Sequence, residues 1–469
     1  MAIKQTIKYN SDNEYIAGFL QTIINDSELN ASVSKTEKEI TLLIDENDPE
    51  ALERFSQNTQ KHLPYSVFIG NIDTTQQEEL DVNKSSFKSK NYNIALCPKC
   101  LLKLTDPAGE NYLDDSLICD HYSNSGNKDF KDVHNYSAHY TKGDTLLVVD
   151  TSKLDKLFYL TQNEVDALLS IEKPTIKVTI KDEDLKSFTK ENFIYIKSPN
   201  TMKSTLSALN AKESGLEYLF FKEFDTFKAS ITKDQLLIIK DTLGLSNKLS
   251  SLNENSVLNR FLNIAQEAAI KRALGVNLSA ENSISFLVTD KDQTNIALNF
   301  GKFDLKKILD EFAEKKPKLL SNLNEKYPQL LNELNQNPQY DFYEALSTIL
   351  ELDDKGYDSL SNKSLEFHGN GGLRIDTFFK EDGFDFASFV GSVISFKLGG
   401  SDDHYLAYSI FEALADMAIS ALNQLKDKYK ISNFIMMGNM FENSVLHSRI
   451  ISKFSQANPY FPKALPIDD

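Results

Sequence analysis

The three cysteines of the chain fall within one short stretch: Cys97 and Cys100 in Leu96-Cys97-Pro98-Lys99-Cys100, and Cys119 in Ile118-Cys119-Asp120-His121. A C-x2-C turn offers two thiolates to one tetrahedral cation, and a second knuckle roughly 15–20 residues on supplies the rest of a zinc ribbon. The position that would hold a fourth cysteine is Tyr122, a poor zinc ligand. His121, one residue short, is the expected substitute, with His134 and His139 as further candidates. The chemistry to expect is a zinc knuckle with one ligand displaced. The competing reading is a decayed knuckle whose cysteines are small buried hydrophobes. His134 and His139 lie five residues apart, off the helical i, i+4 spacing, and read as exposed loop residues rather than a metal pair.

The rest of the chain bounds the class of protein. Its 469 residues allow two to four domains and a sizeable core. A net charge of −17 argues against nucleic acid or an anionic membrane surface as the main partner. No apolar run reaches the length of a membrane span, and Met1-Ala2-Ile3-Lys4-Gln5 opens no signal peptide, so no direct membrane insertion is expected. Cysteines clustered at metal spacing fit a reducing compartment, and a cytoplasmic location is expected.

Periodicity gives the elements that must position these residues. Glu14 to Ile24 has a helical apolar pattern, and Glu39 to Asp45 alternates as a strand. Asp48-Pro49-Glu50 predicts an N-cap and first turn, and Ser66 to Ile69 a closing strand. Gln76 to Lys90 reads as a polar linker. Thr145 to Asp150 and Ile171 to Val178 read as strands, separated by a helix with Thr161 and Glu164 as a capping box. Beyond residue 250 helices dominate: Asn253 to Ala273, two between Lys307 and Glu333 split near Pro317, and His404 to Leu425. Ser283 to Val288 and Thr294 to Leu298 read as a hairpin, Phe434 to Met437 as a strand, and Gly369-Asn370-Gly371-Gly372 as a hairpin turn. The class is α/β, an α+β multidomain chain.

Ala95-Leu96-Cys97-Pro98-Lys99-Cys100-Leu101, with Leu104, Asp106-Pro107-Ala108, Asn111-Tyr112 and Cys119, resembles the first zinc finger of the HypF family, carbamoyltransferases that mature NiFe hydrogenases. The resemblance extends along the chain in module order. Residues 1–75 look like the family's acylphosphatase-like domain, 91–130 like a single zinc knuckle, 141–240 like a YrdC-like remnant, and 250–469 like a Kae1-like remnant with an actin-like ATPase fold. Each module departs from the family pattern. The Gly-Phe-Arg step that anchors a phosphate is Gly18-Phe19-Leu20, and the water-orienting asparagine position falls near Lys35, with Asn30 close by. The YrdC-like module makes carbamoyl-adenylate from ATP and carbamoyl phosphate in the family, but its Lys-Gly-x-Gly-Gly-Phe signature is absent. Gly438-Asn439-Met440-Phe441-Glu442-Asn443 resembles the Gly-Gly-Val-Phe-Gln-Asn turn, which implies Gly438, Asn439, Asn443 and Asp469 as the residues near a nucleotide. The family's metal-binding His-His-x-Ala-His run is missing; His404-Tyr405-Leu406-Ala407-Tyr408 sits on a different element.

The resemblance therefore implies a shortened, degenerate HypF-like protein, of the kind called HydE among hydrogenase accessory proteins. The expected role is a non-catalytic accessory protein that binds a hydrogenase subunit precursor or another maturation factor. The alternative is a reduced carbamoyltransferase, using ATP in the C-terminal module for cyanide-ligand synthesis. A zinc-ribbon interaction protein unrelated to hydrogenase is the third reading.

Overall fold

The computed structural model describes residues 2–77, 87, 94–119, 132–249 and 256–468, less residues 28, 47, 233–234, 282–283, 291–292, 382 and 455–456 within those spans. The chain divides into two compact units. Unit 1 comprises residues 1–248 with 463–467 and 469; unit 2 comprises 249–462 with 468.

Unit 1 opens with β1 (Ala2–Tyr9), α1 (Tyr15–Asn25), β2 (Ala31–Lys35), β3 (Glu39–Asp45), α2 (Pro49–His62) and β4 (Ile69–Gln77). The strands form an antiparallel sheet of order β2-β3-β1-β4. This βαββαβ winding is the split-βαβ arrangement of acylphosphatase-like domains. In β3, Ile40, Leu42 and Ile44 point inward while the residues between face out, the period-2 pattern of a half-buried strand. Asp48 caps α2 by accepting from the Glu50 amide at 3.0 Å, with Pro49 in the first turn. The strand expected over Ser66 to Ile69 is displaced: residues 66–68 lie outside any strand, and β4 begins at Ile69 and runs through residues 70–75, which carry no expected element, into the start of the expected linker. It is an edge strand bonded only to β1, so exposed Asn, Asp, Thr and Gln side chains cost it little.

Next come α3 (Pro98–Thr105), β5 (Thr145–Val148), α4 (Leu154–Leu157), β6 (Phe158–Tyr159), α5 (Gln162–Leu169), β7 (Ile176–Ile180), α6 (Glu183–Thr189), β8 (Phe193–Lys197), α7 (Met202–Glu213) and β9 (Tyr218–Phe221). A mixed five-stranded sheet results, of order β6-β7-β8-β5-β9. β10 (Phe227–Thr232) and β11 (Gln235–Asp241) add a hairpin. The Thr161–Glu164 capping box forms as expected.

Glu172, fully buried, ties these parts of unit 1 together. Its carboxylate accepts from Tyr15 Oη and Ser66 Oγ, both at 2.5 Å, and from the Val67 amide at 3.0 Å. Burial raises its pKa above the ordinary glutamate value, against the pull of those three donors. The folded state thus holds the proton more tightly than the unfolded chain. This contribution to stability is complete below the unfolded glutamate value and is lost as pH rises through the raised folded value. Glu172→Ala is expected to cost about 3–5 kcal/mol, because it strands buried donors with nothing to accept from them. Urea denaturation at a series of pH values reads both effects; a loss below about 1 kcal/mol would contradict the first.

Unit 2 contains α8 (Ser256–Glu267), β12 (Arg272–Asn277), β13 (Ser285–Asp290), β14 (Gln293–Asn299), α9 (Leu305–Lys315), α10 (Pro317–Lys326), α11 (Pro328–Gln336), α12 (Phe342–Ile349) and α13 (Tyr357–Leu365). It continues through β15 (Phe379–Lys380), β16 (Gly383–Phe384), α14 (Phe386–Leu398), α15 (Asp403–Tyr429), β17 (Phe434–Met437) and α16 (Ser444–Lys453). Its main sheet has the order β14-β13-β12-β17, antiparallel except for the β12–β17 pair.

Four local expectations are corrected here. The helix predicted through Ala273 ends at Glu267, and Arg272 begins an inner strand. Buried on both faces, β12 is apolar without alternation, so its period cannot be told from that of a helix. Pro328 breaks the helical run as Pro317 does, which makes three helices where two were expected. Gly369 to Gly372 lies in the loop between α13 and β15, not in a hairpin, and the Gly372 amide donates to Glu412 Oε2 at 2.6 Å. Finally, where no apolar run of membrane-span length was expected, α15 is 27 residues long and apolar enough to cross a membrane, yet 67 % of its most apolar stretch is buried within the protein. Two of its acidic side chains, Glu412 and Asp416, are bonded to Arg449, the arrangement of a core helix.

Candidate metal centre and C-terminal turn

The knuckle is built by a helix start. Cys97 is the N-cap of α3, Pro98 occupies its first turn, and the Cys100 amide donates to Cys97 Sγ at 3.3 Å. This geometry places both sulfurs at the positive end of the helix. A series of turns then returns the chain. Asp106 Oδ1 accepts from the Ala108 amide, the Leu113 amide donates to the Leu104 carbonyl, and Asp114 Oδ1 accepts from the Ser116 amide. Cys119 arrives beside the first two, and the three Sγ atoms lie within 4.8 Å of one another.

All three cysteines are buried, and none forms a disulfide. They pack in one core cluster with Ile94 and Ala95 and with the apolar side of the first sheet. Mutual hydrogen bonding and burial raise two of the thiols: the bond with Cys119 helps push Cys100 up to about 12, and the bond with Cys100 raises Cys97. A tetrahedral zinc with Zn–S bonds of about 2.3 Å sets its sulfurs about 3.8 Å apart, which this cluster accommodates. The chemistry of the donors, two buried thiols on a C-x2-C helix start and a third brought back by the turns, fits a thiophilic metal such as zinc. The expected fourth ligand, His121, lies outside the described residues. His139 is exposed. His134, expected to be exposed, is buried: its Nδ1 lies 2.8 Å from Asp132 Oδ1, and its Nε2 accepts from the Phe224 amide at 3.3 Å. Both ring nitrogens are thereby engaged.

Gly18, Phe19 and Leu20 are buried inside α1, and the Gly18 amide donates to the Glu14 carbonyl at 2.8 Å. Those amides therefore face no loop. The β1–α1 loop itself is already occupied. The Asp12 amide donates to Asn247 Oδ1 at 2.6 Å, and Asn13 Nδ2 donates to the Leu245 carbonyl.

In unit 2 the strand and turn expected around Gly438 are present, and the helix α16 follows them. Gly438 has φ +106°, and a Cβ there would stand 2.2 Å from the Leu278 carbonyl oxygen. Asn439 Oδ1 accepts from the Ala280 amide at 2.8 Å. Asn443 caps α16, accepting from the Val445 and Leu446 amides, while its Nδ2 donates to Ser361 Oγ and Ser364 Oγ, each at 2.9 Å. Asp469 lies outside the described residues. Its neighbour Asp468, which sequence reasoning passed over, joins the turn: Oδ2 accepts from the Asn439 amide at 3.0 Å and from Ser279 Oγ at 2.8 Å, and Oδ1 lies 3.5 Å from the Arg260 guanidinium. The available signal was on α8, where Asn259, Arg260 and Asn263 fall among the apolar residues of its buried stretch.

No protein-family model matches the chain. Protein HydE of Wolinella succinogenes is 26 % identical over 117 residues, a match that covers 24 % of this chain and 21 % of that protein. Solved structures match throughout the chain, two HypF structures among them. T. kodakarensis HypF superposes with a TM-score of 0.64, covering 100 % of this chain and 97 % of that one. A full-length HypF in phosphate- and nucleotide-bound form gives 0.59, covering 100 % and 96 %. Identity is 11 % in both, so what is shared is the course of the backbone and not the chemistry of its side chains. From the first sheet to the C-terminal turn, the chain has the HypF fold.

Proposed function

We propose that the protein is a non-catalytic accessory factor in NiFe-hydrogenase maturation, acting in the cytoplasm and binding a hydrogenase subunit precursor or another maturation factor. One observation carries the reading. The loop where an acylphosphatase-like domain would receive a phosphate is filled by the chain's own residues 245–247, while the overall fold is kept. Asn443 and Asp468 are similarly committed to internal bonds. The fold persists as a set of surfaces while the polar groups that chemistry would need serve the fold itself. The expected result is no ATP cleavage dependent on carbamoyl phosphate. Turnover that a Gly438→Trp change abolishes would sink the proposal. Tagged protein is expected to retain hydrogenase precursor or maturation factors from a hydrogenase-producing host, as read by mass spectrometry. The second reading, a reduced carbamoyltransferase that uses ATP, draws on Gly438: its positive φ and close backbone approach preserve a turn able to face phosphates.

A further inference from the structure

A cleft of about 680 Å3 opens in unit 2 beside the β12–β13 turn, the β14–α9 turn and the start of α12. Phe303, half-buried, opens into it, backed by the buried rings of Phe300, Phe342, Tyr343 and Phe386. The rings are held in place by one another: Phe342 and Phe386 have centroids 5.3 Å apart, and Phe303 lies 5.4 Å from Phe386. The rim is charged and exposed, with the carboxylate of Glu281, that of Asp341, whose Oδ1 also caps α12 by accepting from the Tyr343 and Glu344 amides, and the ammonium of Lys302. Beyond Lys302 a second recess of about 310 Å3 sets Lys302, Lys307 and Lys380 against Asp304, Glu311 and Asp385, so its charges balance. Only the aromatic end has a net sign, and it is negative.

Aromatic faces and carboxylates both attract a cation, and a planar, weakly hydrated one gains most from stacking. We propose that this cleft receives an arginine side chain of a partner polypeptide. The guanidinium stacks on the Phe303 ring within reach of Glu281 and Asp341, and the apolar stem lies along the same aromatic wall. The chain's net charge of −17 steers a basic segment toward it. The same carboxylates repel phosphate, which disfavours a nucleotide here.

This inference rests on the accessory-protein reading and gives it a recognition site. Titration calorimetry on the full chain would use an acetylated, amidated hexapeptide with one arginine and one leucine among alanines, beside a twin carrying neutral citrulline. Saturable binding is expected, about tenfold weaker for the twin. Glu281→Gln, in an exposed turn, is expected to weaken the arginine peptide about three- to tenfold without shifting the melting temperature. Equal affinity for the two peptides, no binding of either, or displacement of the peptide by ATP at low concentration would overturn the proposal. Repeating the host pull-down with Glu281→Gln separates the two claims. Partners retained in full by this variant would leave the accessory role standing and remove the cleft from it, whereas their loss supports the cleft.

Discussion

Protein purified from a zinc-replete host is expected to carry about one zinc per chain, and a Cys97→Ser/Cys100→Ser variant none. Two of the sulfurs are preassembled on one helix start, the returning turns bring the third beside them, and all three are buried together, so metal binding is coupled to the fold around them. Structural zinc contributes on the order of 10 kcal/mol in small isolated domains. Here the knuckle shares a core with a sheet that folds around its own apolar side, so a smaller share is lost on removal. A loss of about 4 kcal/mol would lower the melting temperature by roughly 8–16 °C. Elemental analysis and thermal melting check both parts. Full zinc in the double variant would move the site elsewhere. A zinc-free wild type whose melting is unmoved by the serines would make the cysteines ordinary buried hydrophobes.

The second large effect is expected at Gly438. Gly438→Val puts a branched side chain where φ is +106° and where even a Cβ would stand 2.2 Å from the Leu278 carbonyl oxygen. Backbone strain and overpacking each cost about 1–3 kcal/mol, so a total of about 3–5 kcal/mol is expected. The carbonyl cannot retreat cheaply, because it also accepts from the Met440 amide at 3.0 Å while the Leu278 amide donates to the Met437 carbonyl. The same turn carries Asn439 and, through its amide, Asp468. Urea denaturation followed by tyrosine fluorescence suits a chain without tryptophan. A midpoint within error of the wild type would mean that the turn relaxes freely. Gly438→Ala separates strain from bulk, since it meets the same φ and the first contact alone.

Local chemistry was legible in the sequence wherever one short segment decides the outcome. The Asp48 cap, the Thr161–Glu164 capping box, the alternation of β3 and the β17 strand with its Gly438 turn each depend on neighbours a few residues apart. The cysteine spacing belongs with them, because Cys97 and Cys100 are brought together by one turn of one helix. Sequence reasoning failed where burial erases periodicity, as in β12, and where an edge position tolerates polarity, as in β4.

The tertiary structure alone decided which polar groups are already spent. Nothing near Asp12 in the chain announces that Asn247 will accept from its amide, 235 residues away. Nor does anything near Glu172 reveal Tyr15 and Ser66, or near Asp468 reveal Arg260 and Ser279. His134 passed for a loop histidine because its partners, Asp132 aside, lie far along the chain. A residue's type and spacing specify what it can bind. Whether a buried polar atom keeps that capacity depends on which distant group reaches it first, because a buried donor or acceptor must be satisfied and only folding brings its partner within reach.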